Sequence, residues 1–142
     1  MRLPLIIFAT ILMLFGNTDS ALAGKLVAKV DVSEQVMRVY QDGAQIYKWR
    51  VSTARKGKYT PRGQWSAKFL SRHHKSSLYN NAPMPHSIFF RGNYAIHGTN
   101  QISRLGRPAS AGCVRLHPDH ARILFNMTRK VGRQNLKVVI NN

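Results

Sequence analysis

Short stretches of alternating apolar and polar residues fill most of the chain after residue 24 and predict a mainly β fold. Turn residues separate these stretches, which is typical of strands. Asp42-Gly43 predicts a tight hairpin turn, and in the stretch 64–70 we expect Trp65 and Phe69 on the apolar face. The predicted strands are residues 26–32, 35–40, 45–51, 64–70, 87–90, 94–96 and 136–140.

Two segments depart from this alternation. Between Pro118 and Val131 apolar residues recur at helical spacing, with Asp119 in the first turn and Gly132 after the last, which predicts one helix. Residues 71–85 carry two adjacent asparagines and two prolines, which predict a long, mobile surface excursion. One helix in a mainly antiparallel β framework is therefore the expected architecture.

The N-terminus predicts an export signal. Arg2 precedes a 13-residue apolar run, Leu3 to Phe15, and residues 21–23 match the small-residue pattern of a cleavage site. The run is shorter than the roughly 20 residues that a membrane-spanning helix needs. We therefore expect residues 1–23 to be a cleaved signal peptide, residues 24–142 to form one domain, and the mature protein to be periplasmic without a transmembrane anchor.

The charge is strongly positive, with 22 Lys and Arg against 5 Asp and Glu, a formal net charge of +17. Such a surface attracts polyanions. The predicted export and the absence of a recognised nucleic-acid motif count against DNA or RNA as a partner. Anionic polymers of the cell envelope are the expected counter-surface, and solubility is the alternative explanation of the charge.

Cys113 is the only cysteine and lies sixteen positions after His97. A lone thiol in an exported chain is either a buried apolar residue or a nucleophile. Gly112 before it leaves room for a ligand, and the charge of Arg115 favours the thiolate. The expected chemistry is acyl transfer through a thiolate–imidazolium pair of Cys113 and His97.

Two further requirements follow from that chemistry. An acceptor must fix the His97 tautomer, and a backbone carbonyl, of Gly98 or of a nearby loop residue, is the expected one. Donors for the oxyanion are expected among the amides of Ala111, Gly112 and Cys113. The other histidines lack an acidic or cysteine partner, so we expect no metal and no cofactor; they are His73, His74, His86, His117 and His120.

Residues 96–99 and 105–116 resemble the signature of the L,D-transpeptidase catalytic domain (YkuD) family: a histidine, a gap, then Ser/Thr-His-Gly-Cys, an apolar residue and Arg or Asn. Residues 30–35 with 39–40, residues 51–54, residues 60–63, and residues 84–85 with 88–90 resemble further motifs of the family, so the resemblance covers about residues 26–140. Ala111 stands where the family usually has its second histidine, which bears on the rate and on donor preference.

The resemblance implies a β-sandwich of mixed and antiparallel sheets with one short helix after the cysteine. It also implies that Cys113 attacks the L-to-D bond of a peptidoglycan tetrapeptide stem, with His97 as the base. The thioester then passes to the diamino acid of a second stem or to a lysine of an envelope protein. Ser110 and Gly112 would shape the turn, and Arg115 would hold it or contact a substrate carboxylate. Gly98 and Thr99, after the histidine, are substrate-binding or structural candidates.

Two other function classes stay open. A cysteine peptidase acting on cell-wall peptides would use the same pair of side chains with water as acceptor, although papain-like enzymes place cysteine before histidine. A basic wall-binding module would need no nucleophile, and its binding would persist after Cys113→Ala.

Overall fold

The computed structural model describes residues 24–142, and the predicted signal peptide, residues 1–23, lies outside the described residues. Short 3-10 helices lie at Ile102–Arg104 and Arg133–Asn135. The strands and the helix are β1 Leu26–Asp31, β2 Val36–Gln41, β3 Ala44–Arg50, β4 Gly63–Ser66, β5 Phe69–Lys75, β6 Pro83–Arg91, β7 Tyr94–Gly98, β8 Val114–Leu116, α1 Pro118–Val131 and β9 Leu136–Asn141.

The strands form two mixed sheets. The first has the order β3-β2-β1-β9-β4, and only its β1–β9 pair is parallel. The second has the order β5-β6-β7-β8, and only its β7–β8 pair is parallel. The predicted mainly β fold with one helix is confirmed.

One continuous apolar core joins the two sheets and the helix. Alternate residues of β1 (Leu26, Ala28 and Val30) are fully buried, as the period-2 pattern predicts. From the second sheet, Phe90 and Ile96 enter the same core. Each fully buried side chain of this kind contributes about 1.5–3 kcal/mol, so packing holds this disulfide-free domain together.

Helix α1 packs against β6 and β7 and has the predicted bounds. It buries Ala121, Leu124, Phe125 and Thr128, which lie on one face. The His117 side chain caps the N-terminus by accepting a hydrogen bond from the Asp119 N–H, 3.1 Å away. Gly132 ends the helix with a φ of 91°. Within residues 24–142, no helix has the length and hydropathy needed to cross a membrane.

The predicted single strand at residues 64–70 is wrong, because the chain changes sheets in its middle. The Ala67 N–H donates to Leu136 O at 3.1 Å in the first sheet, and the Lys68 N–H donates to Phe89 O at 2.8 Å in the second. Trp65 packs on Phe90, with ring centroids 5.3 Å apart. Phe69, expected on the apolar face, is instead 54% exposed, and its neighbour Leu70 packs against the core in its place.

The predicted excursion at residues 71–85 is also wrong. Most of it is the hairpin of β5 and β6, and Asn80-Asn81, both with a φ of 55°, mark only its tip. Pro83 and Pro85 lie in β6 where that strand pairs with β5 alone, so their missing N–H groups cost no ladder bond on the other side. Strand β6 therefore begins at Pro83, four residues before the strand that the sequence predicted to start at Ser87.

Candidate active site

The parallel pair β7–β8 brings His97 and Cys113 to one cavity. His97 is opposite Arg115 in the register, and Cys113 directly precedes β8. Both side chains line a cavity of about 640 Å³. Strand β8 has only three residues and was not predicted from the sequence. Its pairing with β7 places His97 and Cys113, sixteen positions apart in sequence, on the wall of the same cavity.

His97 is held as a neutral base. Its ring is 6% exposed, and Nδ1 lies 2.7 Å from the backbone oxygen of Gly98, one of the carbonyls expected from the sequence. Burial lowers the pKa of His97 to about 4. A carbonyl can only accept, so Nδ1 carries the proton and the lone pair of Nε2 is left to take one.

Gly98 also allows β7 to approach the start of α1. A Cβ at this position would lie 3.1 Å from Pro85 Cγ and 3.2 Å from Pro118 Cα. The residue that fixes the His97 tautomer is therefore itself fixed by close packing, which supports its expected structural role.

Cys113 rests as a thiol. The side chain is half-buried, and its Sγ lies 3.7 Å from Asn93 O. Burial raises the pKa of Cys113, and the positive charge of Arg115 offsets only part of that effect. In the free protein, burial therefore favours the neutral form of both Cys113 and His97, and the thiolate–imidazolium pair remains an expectation for the reaction itself.

The turn before Cys113 is fixed by the Ser110 hydroxyl. Ser110 Oγ accepts from the Gly112 N–H at 3.0 Å and donates to Cys113 O at 2.6 Å. Because the Gly112 N–H is engaged in the turn, it is not free to serve an oxyanion, contrary to the sequence-based expectation. The amides of Ala111 and Cys113 are left as candidates.

Gly112 has no room for a side chain. Its φ is 143°, and a Cβ would lie 2.7 Å from Tyr94 Cε1 and 2.8 Å from Tyr59 O. A real Cβ does not come so close to backbone, so only glycine lets the turn pass between the two tyrosines.

The sequence did not assign a role to the polar residues that hold this turn from behind. Thr60 Oγ1 donates to Gly112 O at 2.8 Å and accepts from the Ala54 N–H at 2.9 Å. Thr53 O accepts from the Ser110 N–H at 2.9 Å. The only signal for Thr53 and Thr60 was their place in two motifs of the family resemblance.

Gln35 completes this support although it lies far from Cys113 in sequence. Its Oε1 accepts from the Thr53 N–H at 2.9 Å, and its Nε2 donates to Thr53 Oγ1 at 2.6 Å. The residue is 3% exposed, with a φ of 53°. Nothing in the strand pattern distinguished this glutamine from a solvent-facing one.

Arg115 and Thr99 meet at Gln101 on the cavity wall. Arg115 Nη1 donates to Gln101 Oε1 at 3.0 Å, and Thr99 Oγ1 accepts from the Gln101 N–H at 3.1 Å. Thr99 N–H donates to Leu116 O at 3.0 Å, which extends the β7–β8 pairing by one residue. Both predicted positions therefore shape the wall that carries His97 and Cys113.

The cavity is positively charged. Arg55, Arg91 and Arg115 line it, with no acidic residue among the lining side chains. Burial lowers the pKa of Arg115, with Arg104 and Arg55 contributing repulsion. Arg55 and Arg91 are exposed, whereas Arg115 is half-buried, and a half-buried cation that no described carboxylate pairs with favours an anionic ligand. The part of the chain that the structure describes has no cluster of three or more potential metal-binding side chains.

The comparison with known families decides what the domain is. The family model described as the L,D-transpeptidase catalytic domain (YkuD) matches residues 25–140. The chain belongs to this family. No curated protein matches the sequence of this YkuD-family chain.

Solved L,D-transpeptidases share the fold. One from Stackebrandtia nassauensis is 25% identical with a TM-score of 0.73, covering 83% of this chain and 56% of that one. One from Xylanimonas cellulosilytica is 25% identical with a TM-score of 0.71, covering 82% and 60%. L,D-transpeptidase 3 from Mycobacterium tuberculosis, solved with a faropenem-derived adduct, is 15% identical with a TM-score of 0.73, covering 84% and 62%. The YkuD-family chain thus spans between 56% and 62% of the length of these structures.

Within this YkuD domain, Ala111 lines the cavity beside the cysteine. Its methyl group replaces the imidazole that the resemblance leads one to expect there, and its backbone amide is unchanged. The substitution therefore removes a side-chain function and leaves the backbone contribution to the turn.

Proposed function

We propose that the protein is an exported L,D-transpeptidase, with residues 1–23 removed as a signal peptide, that uses Cys113 as its nucleophile and His97 as its base. The observation that carries the proposal is the common cavity of these side chains, with Nδ1 of His97 held by Gly98 O. A thiol and a neutral imidazole with a free Nε2 are the two groups that general-base acyl transfer needs.

In the first half-reaction, Cys113 Sγ bonds to the carbonyl carbon of the L-to-D peptide bond as its proton passes to His97 Nε2. The amides of Ala111 and Cys113 donate to the oxyanion. Collapse breaks the C–N bond, and the imidazolium gives its proton to the departing amine of the D-amino acid. A thioester on Cys113 and a neutral His97 remain.

In the second half-reaction, an acceptor amine attacks the thioester and loses a proton to His97. The C–S bond breaks, and the sulfur recovers that proton from the imidazolium. The proposed acceptors are the diamino acid of a second stem or an amine of an envelope protein.

The charge of the cavity supports a peptidoglycan stem as donor. Such a stem carries free carboxylates, and Arg115 is the nearest cation to Cys113 along the chain. The net charge of +17 favours retention on the anionic polymers of the envelope. Leu78 and Tyr79, at the exposed tip of the β5–β6 hairpin, line the same cavity and are placed to cover a bound stem.

The test combines muropeptides with a covalent probe. Purified protein incubated with tetrapeptide-rich muropeptides should release the terminal D-amino acid and yield amine-linked products, read by mass. Faropenem should add its mass, or that of a fragment, at Cys113. Cys113→Ala should abolish both at an unchanged melting temperature, and His97→Gln should slow both by about 10²- to 10⁴-fold.

Other outcomes would assign a different function to the chain. Trimmed stems without amine-linked products would indicate a peptidase that uses water. Binding to sacculi that persists in Cys113→Ala, with no turnover by the wild type, would indicate a non-catalytic wall-binding module. Full turnover by Cys113→Ala would contradict the assignment of the nucleophile.

A further inference from the structure

Thr60 is a buried polar residue that contacts the turn before Cys113 from the side away from the cavity. It is 1% exposed, and its hydroxyl joins two backbone segments by donating to Gly112 O and accepting from the Ala54 N–H, at 2.8 and 2.9 Å. Both capacities of the hydroxyl are thus used in one fixed geometry, which leaves it no freedom to rotate.

The hydrogen bond from Thr60 to Gly112 O fixes the orientation of the whole Gly112–Cys113 peptide group, not only of the carbonyl. In a trans peptide, the C=O of one residue and the N–H of the next lie in one plane and point in opposite directions. Cys113 N–H therefore points away from Thr60. Thr60 lies behind the turn, outside the residues that line the cavity, whereas Gly112 and Cys113 are part of the lining.

The neighbouring peptide planes of the turn have hydrogen bonds of their own, including one from the Arg55 N–H to Ser110 O at 2.9 Å. The Gly112 N–H is already engaged by Ser110 Oγ at 3.0 Å. The Ser110 N–H is engaged by Thr53 O at 2.9 Å. Gly112 itself has an unusual φ of 143° that glycine alone reaches at low cost, so without Thr60 the Gly112–Cys113 peptide plane would be free to turn.

We propose that Thr60 is a positioning residue of the acyl-transfer reaction: its hydroxyl holds the Gly112–Cys113 peptide plane so that the Cys113 N–H faces the developing oxyanion. The inference rests on the proposed function and adds to it a residue that touches no substrate. It acts through the orientation of a donor, and a donor contributes to carbonyl attack only when its direction is already set.

The test compares two reactions of the same sulfur. Acylation by faropenem passes through an oxyanion, whereas alkylation by iodoacetamide is displacement at a saturated carbon and needs no oxyanion donor. The ratio of the two rate constants therefore separates donor orientation from thiol exposure and reactivity. It is measured by intact-protein mass for the wild type, Thr60→Val, Thr60→Ser and Thr128→Val.

Thr128→Val is the matched control. Thr128 is fully buried, and its hydroxyl donates to Leu124 O at 2.7 Å inside α1. The chemical change is the same as in Thr60→Val, but it lies in the helix and outside the cavity lining.

We expect Thr60→Val to lower the acylation-to-alkylation ratio by at least about 10-fold, Thr60→Ser to restore it, and Thr128→Val to leave it unchanged. An unchanged ratio in Thr60→Val, no recovery in Thr60→Ser, or an equal fall in Thr128→Val overturns the inference. Should Thr60→Val fail to fold, Thr60→Ala makes the same test. A wild type that is alkylated but never acylated overturns the proposed function as well.

Discussion

The two halves of the site are built in different ways. His97 lies in β7, a regular strand whose last four residues are buried, and the carbonyl of its own neighbour, Gly98, fixes its ring. Cys113 follows an irregular turn that is held by the hydroxyls of Ser110 and Thr60, and Thr60 lies 52 residues before its partner Gly112 in sequence. His97 is thus placed by the backbone of its own strand, whereas Cys113 is placed by side-chain hydrogen bonds, local ones from Ser110 and a long-range one from Thr60.

This difference follows from the hydrogen-bonding needs of the backbone. In β7 the sheet satisfies most N–H and C=O groups without help from side chains. In the turn before Cys113 the sheet ladder does not supply all partners, so side-chain hydroxyls pair with Gly112 N–H, Gly112 O and Cys113 O. The hydroxyls of Ser110 and Thr60, which hydrogen-bond to the turn around Gly112, therefore also fix the orientation of its peptide groups.

Gly112→Ala should break the nucleophile half most severely. The new methyl group would lie 2.7 Å from Tyr94 Cε1 and 2.8 Å from Tyr59 O, and the φ of 143° would add backbone strain. We expect a loss of about 4 kcal/mol in the free energy of unfolding, measured by urea denaturation.

Gly57→Ala is the control for backbone strain alone. Its φ is +83°, and a Cβ there would have no neighbour within 4 Å. The expected loss is about 1 kcal/mol. Equal losses for the two variants would mean that the tyrosines yield and that the turn is not sterically fixed.

The contrast between the two halves also explains what the sequence could predict. Helix α1 carries its own amphipathic spacing and end signals, so both of its bounds followed from residues 118–132. The crossing at Ala67–Lys68 leaves no trace in the alternation, because strands of either sheet show the same period. The β5–β6 hairpin was missed because Pro83 and Pro85 predict a loop. In the structure they lie in the part of β6 that pairs with β5 alone, so no second strand needs their N–H groups.

The same difference separates the site residues that the sequence could predict from those that it could not. Cys113 stood out as the lone cysteine, and the carbonyl of Gly98 was one of the two kinds of acceptor expected for His97, the other being a nearby loop carbonyl. Gln35, Thr53 and Thr60 are buried by tertiary structure alone, and local patterns treat such polar residues as exposed. The resting protonation state was also inaccessible, since it depends on burial that no residue pattern records.

The His97 half is best tested by pH. The unfolded chain protonates this histidine below about pH 6.5, whereas burial lowers the folded pKa to about 4. Between these values the unfolded state binds more protons, so the free energy of unfolding falls as the pH falls. The full loss is about 3 kcal/mol once the pH is below 4.

Urea unfolding of the wild type and of His97→Gln across this range measures that contribution. Burial also lowers the pKa of His86 and His120, so the wild type should lose stability from several histidines. The difference between the two proteins isolates His97. Parallel stability curves for the two proteins would show that the His97 ring is not shielded from water in solution.

Ser110→Ala should have the smallest effect of the three and the most informative one. It removes both hydrogen bonds of the Ser110 hydroxyl and leaves the Gly112 N–H and Cys113 O without partners in a buried turn. We expect a loss of about 2 kcal/mol. Ser87→Ala is the control, because Ser87 is fully buried and its hydroxyl makes one bond, to Met84 O at 2.6 Å, with an expected loss of about 1 kcal/mol.

The double variant Ser110→Ala/Thr60→Val then tests whether the two hydroxyls act on one structural unit. Residues that hold the same turn are coupled, so the combined loss of stability should fall short of the sum by about 0.5 kcal/mol or more. Replacing Ser110→Ala by Ser87→Ala in the pair should give simple addition. Additive losses in both pairs would mean that Ser110 and Thr60 support the turn independently, and the contrast between a locally placed base and a jointly held nucleophile would lose its basis.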